Sequence, residues 1–379
     1  MTSADGTDGT LPGARVVVAG GGSGGHIEPA MALAEAVLRL APDSTVTALG
    51  TARGLEGSVI PARGFELDLI AAAPLPRKLS MDLLRVPGRL AAATRGARRA
   101  MRVRGAQVVV GFGGYVSLPA YLAASRARIP VVVHEANARP GLANRIGARR
   151  TPWIYTASPA AALRGVRVIG MPLRRSISQL DRAAERARAR AAFGLDADRP
   201  TLLVTGGSQG AMSLNRAMAG AAEALGAAGV QVLHVIGPRN AGAEPPGSAD
   251  RGGPPYAVRP YIEDMAAAYA AADFVLCRGG AMTVAELTAV GLPAAYVPYE
   301  HSNGEQRLNA LPVVRVGGGL LVDDAQLSAS WIIDAVLPVL ADPERLAAMS
   351  AAATGAGRRD ADEALAREVL RAAAGGTPS

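Results

Sequence analysis

A short apolar strand that breaks into glycines and then into an alanine- and leucine-rich helix occurs four times in this chain. The copies lie at 15–40 (opening "RVVVAGGGSGGH"), 107–124 ("QVVVGFGGYVSLPAYLAA"), 201–225 ("TLLVTGGSQGAMSLNRAMAGAAEAL") and 274–290 ("FVLCRGGAMTVAELTAV"). Strands that are apolar along their whole length must be covered on both faces, and strands that alternate with helices assemble into parallel sheets. Two copies fall in each half, which predicts an α/β protein of two doubly wound domains. At 379 residues the chain can bury a core in each. The Gly-Met-Pro break in "VIGMPLRRSI", 168–177, sets the boundary, with residues 14–172 in the N-terminal domain and 173–350 in the C-terminal one. Residues 1–13 ("MTSADGTDGTLPG") read as a flexible tail, 178–194 as a charged surface helix, and 241–255 as a Pro/Gly-rich surface loop.

Single residues exclude whole classes of chemistry. Cys277 is the one cysteine, so neither an internal disulfide framework nor a four-cysteine zinc site can form. Lys78 is the one lysine and has no glycine loop beside it, which excludes a Walker-type nucleotide loop and argues against a Schiff-base enzyme. The N-terminus carries no signal-peptide pattern, and no apolar run reaches the roughly 18–20 residues of a membrane span. A cytoplasmic location is expected. The formal charge of +8 is concentrated: residues 74–104 hold nine Arg/Lys against one Asp, a surplus equal to the charge of the whole chain. Leu75, Leu79, Met81, Leu83 and Leu84 interleave there with Arg77, Lys78, Arg85 and Arg89. That pattern suits docking on an anionic membrane surface, and equally an amphipathic helix with a solvated basic face. Nucleic acid is not expected, because the segment has no aromatic residue for base stacking.

"GGGSGG" satisfies G-x-G-x-x-G with Gly20, Gly22 and Gly25, but the second strand, "TVTALGT" at 45–51, carries no acid to hold a dinucleotide ribose. A nicotinamide cofactor is therefore disfavoured. A ligand is expected at the carboxyl ends of the strands, where the glycine turns meet a cleft between the domains. In "GGSQGAMSLN", 206–215, bare amides at a helix start favour a diphosphate, with Arg174 or Arg175 as a fixed charge nearby. "DAD" at 196–198 precedes a strand, at the wrong end of the sheet for a ligand, and reads as a surface loop.

Taken in order, "GGGSGGHIEPA", "GFGGYVSLPA", "HEANARPGLANR", "GGSQGAMSLN" and "CRGGAMTVAELTAVGLPAAYVPY…GEQRLNA" resemble the MurG-type glycosyltransferases, from about Arg15 to Val322. The resemblance implies a GT-B fold, two Rossmann-like domains facing across a cleft, with acceptor on the first domain and UDP-sugar on the second. A last helix within 351–373 would cross back onto the first domain. It implies inverting transfer of N-acetylglucosamine from UDP-N-acetylglucosamine to undecaprenyl-pyrophosphoryl-N-acetylmuramoyl-pentapeptide in peptidoglycan synthesis. The enzyme would work peripherally at the cytoplasmic membrane face without a tightly bound metal or other cofactor. Matched position by position, His26 and the turn Gly22, Ser23, Gly24, Gly25 would lie beside the acceptor, with His134, Glu135 and Asn137. Arg174 would face the diphosphate, together with Ser208 of the third glycine turn. Ile262 would read uracil, Glu286 would hold the ribose hydroxyls, and Gln306 would contact the donor sugar. Glu305 departs from the Gln or His usual there, and an ionised carboxylate cannot donate a hydrogen bond to a sugar.

The residues themselves suggest the chemistry. A sugar hydroxyl attacks well only when a base takes its proton, and an imidazole titrates near neutral pH. His26 is one candidate base. Glu135 is a second, either as base or as a group orienting the sugar. His134 follows a buried strand and is read as structural or catalytic, His234 as core, and His301 has no assigned role. Two other readings remain: a UDP-N-acetylglucosamine 2-epimerase of the same fold, and a non-enzymatic nucleotide-sugar-binding protein.

Overall fold

The structure is a computed structural model and describes residues 11–22, 24–52, 55–73, 85–240, 253–300 and 303–379. Ser23, His301, the first ten residues, most of the 241–255 loop, and Arg77, Lys78 and the leucines of 74–84 lie outside them. The chain divides into two compact units, one taking the chain up to Arg174 together with Asp360–Ser379, the other Arg175–Arg359.

In the first unit the strands are β1 (Arg15–Gly20), β2 (Thr45–Gly50), β3 (Glu66–Leu69), β4 (Val108–Gly113), β5 (Val131–Glu135), β6 (Trp153–Thr156) and β7 (Arg167–Val168). They form a parallel sheet in the order β3-β2-β1-β4-β5-β6-β7. Alternation along a strand decides which helices it meets. Val16 and Val18 of β1, with Val108 and Val110 of β4, form one core with Met31 and Leu33 of α1 (Gly24–Leu40). Val17, Ala19 and Val109 form the other, and both faces are apolar, as the unbroken valine runs require. Helix α2 (Glu56–Ala62) follows β2. On the second face, α3 (Val86–Arg104) buries Ala93, Ala97 and Met101 at four-residue spacing, leaving Arg95, Arg98, Arg99 and Arg102 exposed. Arg104 is committed elsewhere, donating to both oxygens of Asp68 and pairing with Glu66. The face is completed by α4 (Gly114–Ala127), and α5 (Leu142–Gly147) follows β5.

In the second unit, β8 (Thr201–Thr205), β9 (Gln231–Val235), β10 (Tyr256–Arg259), β11 (Phe274–Cys277), β12 (Ala294–Tyr296) and β13 (Gly319–Leu321) stand parallel in the order β10-β9-β8-β11-β12-β13. Its helices include α6 (Arg175–Ser178), α7 (Arg182–Phe193), α8 (Met212–Ala227), α9 (Met265–Ala271), α10 (Ala281–Ala289), α11 (Glu305–Arg315) and α12 (Pro343–Ala356). In both sheets the strand order reverses beside the first strand of the unit, between β1 and β4 and between β8 and β11. Each reversal is a switch point of the kind that binds ligands in open α/β sheets.

One expectation is corrected in part, and two helices are placed more closely. The turn of chain at 11–13 is docked: Leu11 N donates to Leu40 O at 2.8 Å, and its side chain packs on the α1 core. The last helix, α13 (Ala361–Ala373), belongs to the first unit, where Leu365 and Val369 join the α1 core and Asp362 pairs with Arg39 at 2.6 Å. Residues 351–359 stay with the second unit. The charged helix α7 lies at the surface, with Ala183, Ala184, Ala187 and Arg188 exposed, but three of its arginines turn inward. Arg190 is fully buried and Arg182 half-buried; Arg182 donates to the carbonyls of Tyr269, Ala272 and Gly291, while Arg186 and Arg190 clasp Asp273. The guanidinium groups of Arg182 and Arg190 cap backbone carbonyls that the sequence could not reveal as orphaned.

Candidate active site

At the first switch point, the chain leaves β1 through Gly20, Gly21 and Gly22 and enters α1 with Gly24, Gly25 and His26 in its first turn. The glycines here are steric requirements. Gly114, at the start of α4, has φ +75°, and a Cβ on it would lie 2.2 Å from Gly21 O. No side chain fits there, because L-residues disfavour that conformation and the carbonyl cannot retreat. The backbone of the second glycine motif can thus approach the first within van der Waals contact, and His26 fills the space between. A Cβ on Gly113 would lie 3.3 Å from His26 Nε2 and 3.3 Å from Asn144 Nδ2.

His26 is half-buried, and burial holds its pKa below the ordinary 6.5, a shift partly offset by a hydrogen bond to the Gly21 backbone. The imidazole is therefore neutral at neutral pH, with a lone pair on one nitrogen. Glu135, at the end of β5, is buried, and both its oxygens are engaged. Oε1 accepts from Asn137 N at 2.9 Å, and Oε2 from Gly141 N at 3.1 Å and Asn144 Nδ2 at 2.9 Å. Burial raises its pKa, against the pull of these donors. The carboxylate so placed pins the 137–141 loop. Asn144 in turn donates to His134 O and accepts from Tyr121 OH at 2.7 Å.

His134 is structural. It is fully buried against Phe112, Nε2 donates to Gly170 O at 2.8 Å, and burial lowers its pKa to about 4. His234 is core, as expected, between Tyr256 OH (2.8 Å) and Asn215 Oδ1 (3.1 Å), its pKa lowered by burial to about 4.

At the second switch point, β8 ends in Gly206, Gly207, exposed Ser208 and Gln209, and Gly210, and α8 begins at Met212. Gly210 mirrors Gly114: φ is +74°, and a Cβ would lie 2.2 Å from Ile236 O. No side chain caps α8, so its first amides remain available to an anion. Opposite, after β11, Arg278 donates to Asp324 Oδ1 at 2.7 Å, Ser213 Oγ at 2.9 Å and Val297 O at 3.1 Å, with its guanidinium 5.5 Å from the Tyr299 ring centre. Burial disfavours the Asp324 charge, but the hydrogen bonds from Arg278 and Ser213 outweigh it and hold the carboxyl below its usual range.

The other expected residues distribute as follows. Glu286 is buried on α10, where Oε2 accepts from Tyr269 OH at 2.7 Å. Ile262 is buried between β10 and α9. Gln306 opens α11 with Oε1 accepting from Tyr299 N at 2.9 Å, and Glu305 beside it is half-exposed. Arg174 is the last residue of the first unit, not part of the second. Asp196 of "DAD" pairs with Arg199 on an exposed loop. Glu56 and Arg278 were missed, since a lone acid in a short helix and one arginine among many carry no pattern.

Two doubly wound parallel units with glycine turns at their switch points define a GT-B glycosyltransferase fold. Residues 16–156 match the glycosyltransferase family 28 N-terminal domain and residues 201–365 its C-terminal domain. A relative from Streptomyces avermitilis, the UDP-N-acetylglucosamine–N-acetylmuramyl-(pentapeptide) pyrophosphoryl-undecaprenol N-acetylglucosamine transferase, is 58% identical over 95% of this chain and 98% of its own. Its namesake from Thermobifida fusca is 56% identical over 96% of each. Among solved structures, Acinetobacter baumannii MurG superposes with a TM-score of 0.77 at 28% identity, covering 94% of this chain and 99% of that one. The UDP-GlcNAc 2-epimerase of Neisseria meningitidis, at 15% identity and a TM-score of 0.68 over 94% of this chain and all of its own, shares the fold. The chain therefore belongs to glycosyltransferase family 28, among the MurG-type transferases.

Proposed function

We propose that this protein transfers N-acetylglucosamine from UDP-N-acetylglucosamine to the C4 hydroxyl of undecaprenyl-pyrophosphoryl-N-acetylmuramoyl-pentapeptide, inverting the anomeric centre. The observation that carries the reading is full-length identity of 55–58% to transferases of that name. His26 is the general base. It is neutral at working pH because burial lowers its pKa, so it can accept the hydroxyl proton as the oxygen attacks. Glu135 is a positioning residue, since its oxygens are committed to Asn137, Gly141 and Asn144. The glycines Gly22, Gly24 and Gly25 leave room for the acceptor sugar, to which Ser23 would offer a hydroxyl and Asn137 an amide.

The second unit takes the donor. Negative charge grows on UDP as the glycosidic bond breaks, and groups that bind that charge more tightly in the transition state accelerate the step. The uncapped start of α8 beside Ser208 supplies such donors, and Arg174 adds a positive charge. Glu286 holds the ribose hydroxyls, Ile262 offers its backbone to uracil, and Gln306 contacts the donor sugar. Among the described residues no group of three His, Cys, Asp or Glu could hold a metal ion, and no helix is long and apolar enough to cross a membrane. Arg95, Arg98, Arg99 and Arg102 on the outer face of α3 hold the enzyme on the anionic leaflet at the cytoplasmic face, where its acceptor is anchored.

The test is incubation with UDP-[14C]N-acetylglucosamine and the lipid-linked muramoyl-pentapeptide. Label should pass to the lipid with one UDP released per sugar. Conversion of the UDP-sugar to its C2 epimer without acceptor, or no transfer, would overturn the assignment.

A further inference from the structure

Glu56 stands behind the first glycine turn with no role in the reaction as derived so far. It is fully buried at the start of α2, and its Oε1 accepts from Gly22 N at 3.0 Å. Tyr115 OH donates to the same oxygen at 3.4 Å and lies 3.1 Å from Thr51 Oγ1. Oε2 is buried with no hydrogen-bond partner. A buried carboxyl oxygen without a donor is costly, and such atoms in a folded protein call for an explanation.

The explanation lies in which peptide Glu56 holds. The N–H of Gly22 and the carbonyl of Gly21 belong to one planar amide, so they point in opposite directions. One end meets the Glu56 carboxylate, and the other lies on the His26 side, since the point where a Gly114 Cβ would stand is 2.2 Å from Gly21 O and 3.4 Å from His26 Nδ1. The amide is clamped from all sides. A Cβ on Gly21 would lie 2.4 Å from Glu56 Oε1, one on Gly22 2.8 Å from the Tyr115 ring, and one on Gly114 2.2 Å from Gly21 O and 3.4 Å from His26 Nδ1. Every neighbour of this peptide either fixes its plane or leaves space for it.

We propose that Glu56 is a positioning residue that acts on His26 through the Gly21–Gly22 peptide. The inference rests on the reading of His26 as general base. A carboxylate accepting from the N–H end polarises the amide and makes its carbonyl a better acceptor. The carbonyl then holds the imidazole in the tautomer whose proton faces Gly21 and leaves the other nitrogen to take the acceptor's proton. As the ring becomes an imidazolium in the transition state, the strengthened carbonyl stabilises the new charge. Interposing a peptide serves a purpose that direct contact would defeat: a carboxylate touching the ring would favour its protonation at rest, when it must be neutral. Among the described residues, the other titratable groups on the elements packed around His26 include Glu28 on its own helix, paired with Arg63, Tyr115 on α4, and Glu135, which lies beyond Asn144 on the far side of Gly113.

The test uses full-length Glu56→Gln, whose side-chain oxygen can still accept from Gly22 N–H, and reads His26 by ring 15N NMR beside steady-state kinetics. In Glu56→Gln the pKa of His26 should fall further and kcat drop by about 10- to 100-fold, the range that follows loss of a carboxylate partner behind a metal-bound histidine. KM for UDP-N-acetylglucosamine should stay within about twofold of wild type, since Glu56 touches none of the groups proposed to hold the donor, all of which but Arg174 lie in the other unit. Tyr115→Phe, which removes a competing donor from Glu56, should move the His26 titration the opposite way. Unchanged His26 titration in both variants, or wild-type kcat in Glu56→Gln, would overturn the proposal. Shifted spectra combined with full turnover by His26→Ala would support the coupling and instead defeat the reading of His26 as base.

Discussion

The two glycine turns are built on one plan and equipped for opposite tasks. Each follows the first strand of its sheet, each lies where the strand order reverses, and each is packed against a neighbouring turn so closely that a Cβ would strike a carbonyl at 2.2 Å: Gly114 of the β4–α4 turn against Gly21 O in the first unit, and Gly210 against Ile236 O in the second. Around the first, titratable side chains converge: His26, Glu56, Tyr115 and, across Gly113, the Glu135–Asn144 pair. Around the second there are exposed Ser208 and Gln209, the bare amides of α8, and Arg278 held in place by Asp324. In the proposed reaction a proton moves at the first site, which needs a group of tuned pKa, and a diphosphate is held at the second, which backbone dipoles can do with no side chain to titrate. One backbone solution thus serves acid–base chemistry or anion binding according to what the next few residues supply.

The sharpest way to break this contrast is to remove the chemistry from each turn separately. His26→Ala should lower kcat by roughly 10²-fold or more, whereas Ser208→Ala, which leaves the α8 amides in place, should cost far less. In the wild type, the acid limb of kcat should fall below pH 6.5, because burial lowers the His26 pKa and the base is lost only when pH drops through that lowered value. Steady-state rates from pH 5 to 8 on both variants decide it, and equal losses would erase the distinction.

Both units carry a histidine buried in its neutral form, His134 in one and His234 in the other, each with a pKa of about 4. Between pH 6.5 and about 4 the unfolded chain binds these protons and the folded chain does not. Stability is therefore fully present above pH 6.5 and is lost as pH falls toward 4, by on the order of 2–3 kcal/mol for each histidine. Urea unfolding at pH 7 and pH 5 should show both units weakening together. Weakening confined to one unit would separate them.

Glu286→Ala should raise the KM for the UDP-sugar by an amount equivalent to roughly 1.5–3 kcal/mol, the value of hydrogen bonds to a charged group. Because Glu286 also accepts from Tyr269, thermal melting of the variant separates lost binding from lost packing. An unchanged KM would remove the ribose from its assignment. The smallest effect on chemistry belongs to the outer face of α3. Replacing Arg95, Arg98, Arg99 and Arg102 with Gln should weaken cosedimentation with anionic vesicles, most visibly at low salt, while sparing transfer to a water-soluble acceptor analogue. Equal loss on the soluble analogue would place those arginines in the reaction itself.

Four strand–glycine–helix repeats and the valine runs determined the doubly wound pair, because periodicity and glycine placement are local and each states its own structural demand. The same is true of His26 as a candidate, since its position in a glycine turn at a switch point is visible in the sequence. Other features depended on partners distant in the chain. Whether His134 or His26 is available to a substrate turns on Gly170 and Phe112 closing over His134. Glu135 reads as a possible base until Asn137, Gly141 and Asn144 occupy its oxygens. The inward turn of Arg182, Arg186 and Arg190 depends on Asp273 and on carbonyls around 90 residues away. Glu56 carries no motif, and becomes visible only when folding brings it within 3.0 Å of Gly22. Sequence alone determined which backbones could approach one another, since glycine needs no partner to permit it. The state of each polar side chain was left to tertiary structure, because burial and hydrogen bonding are properties of the pair and not of the residue.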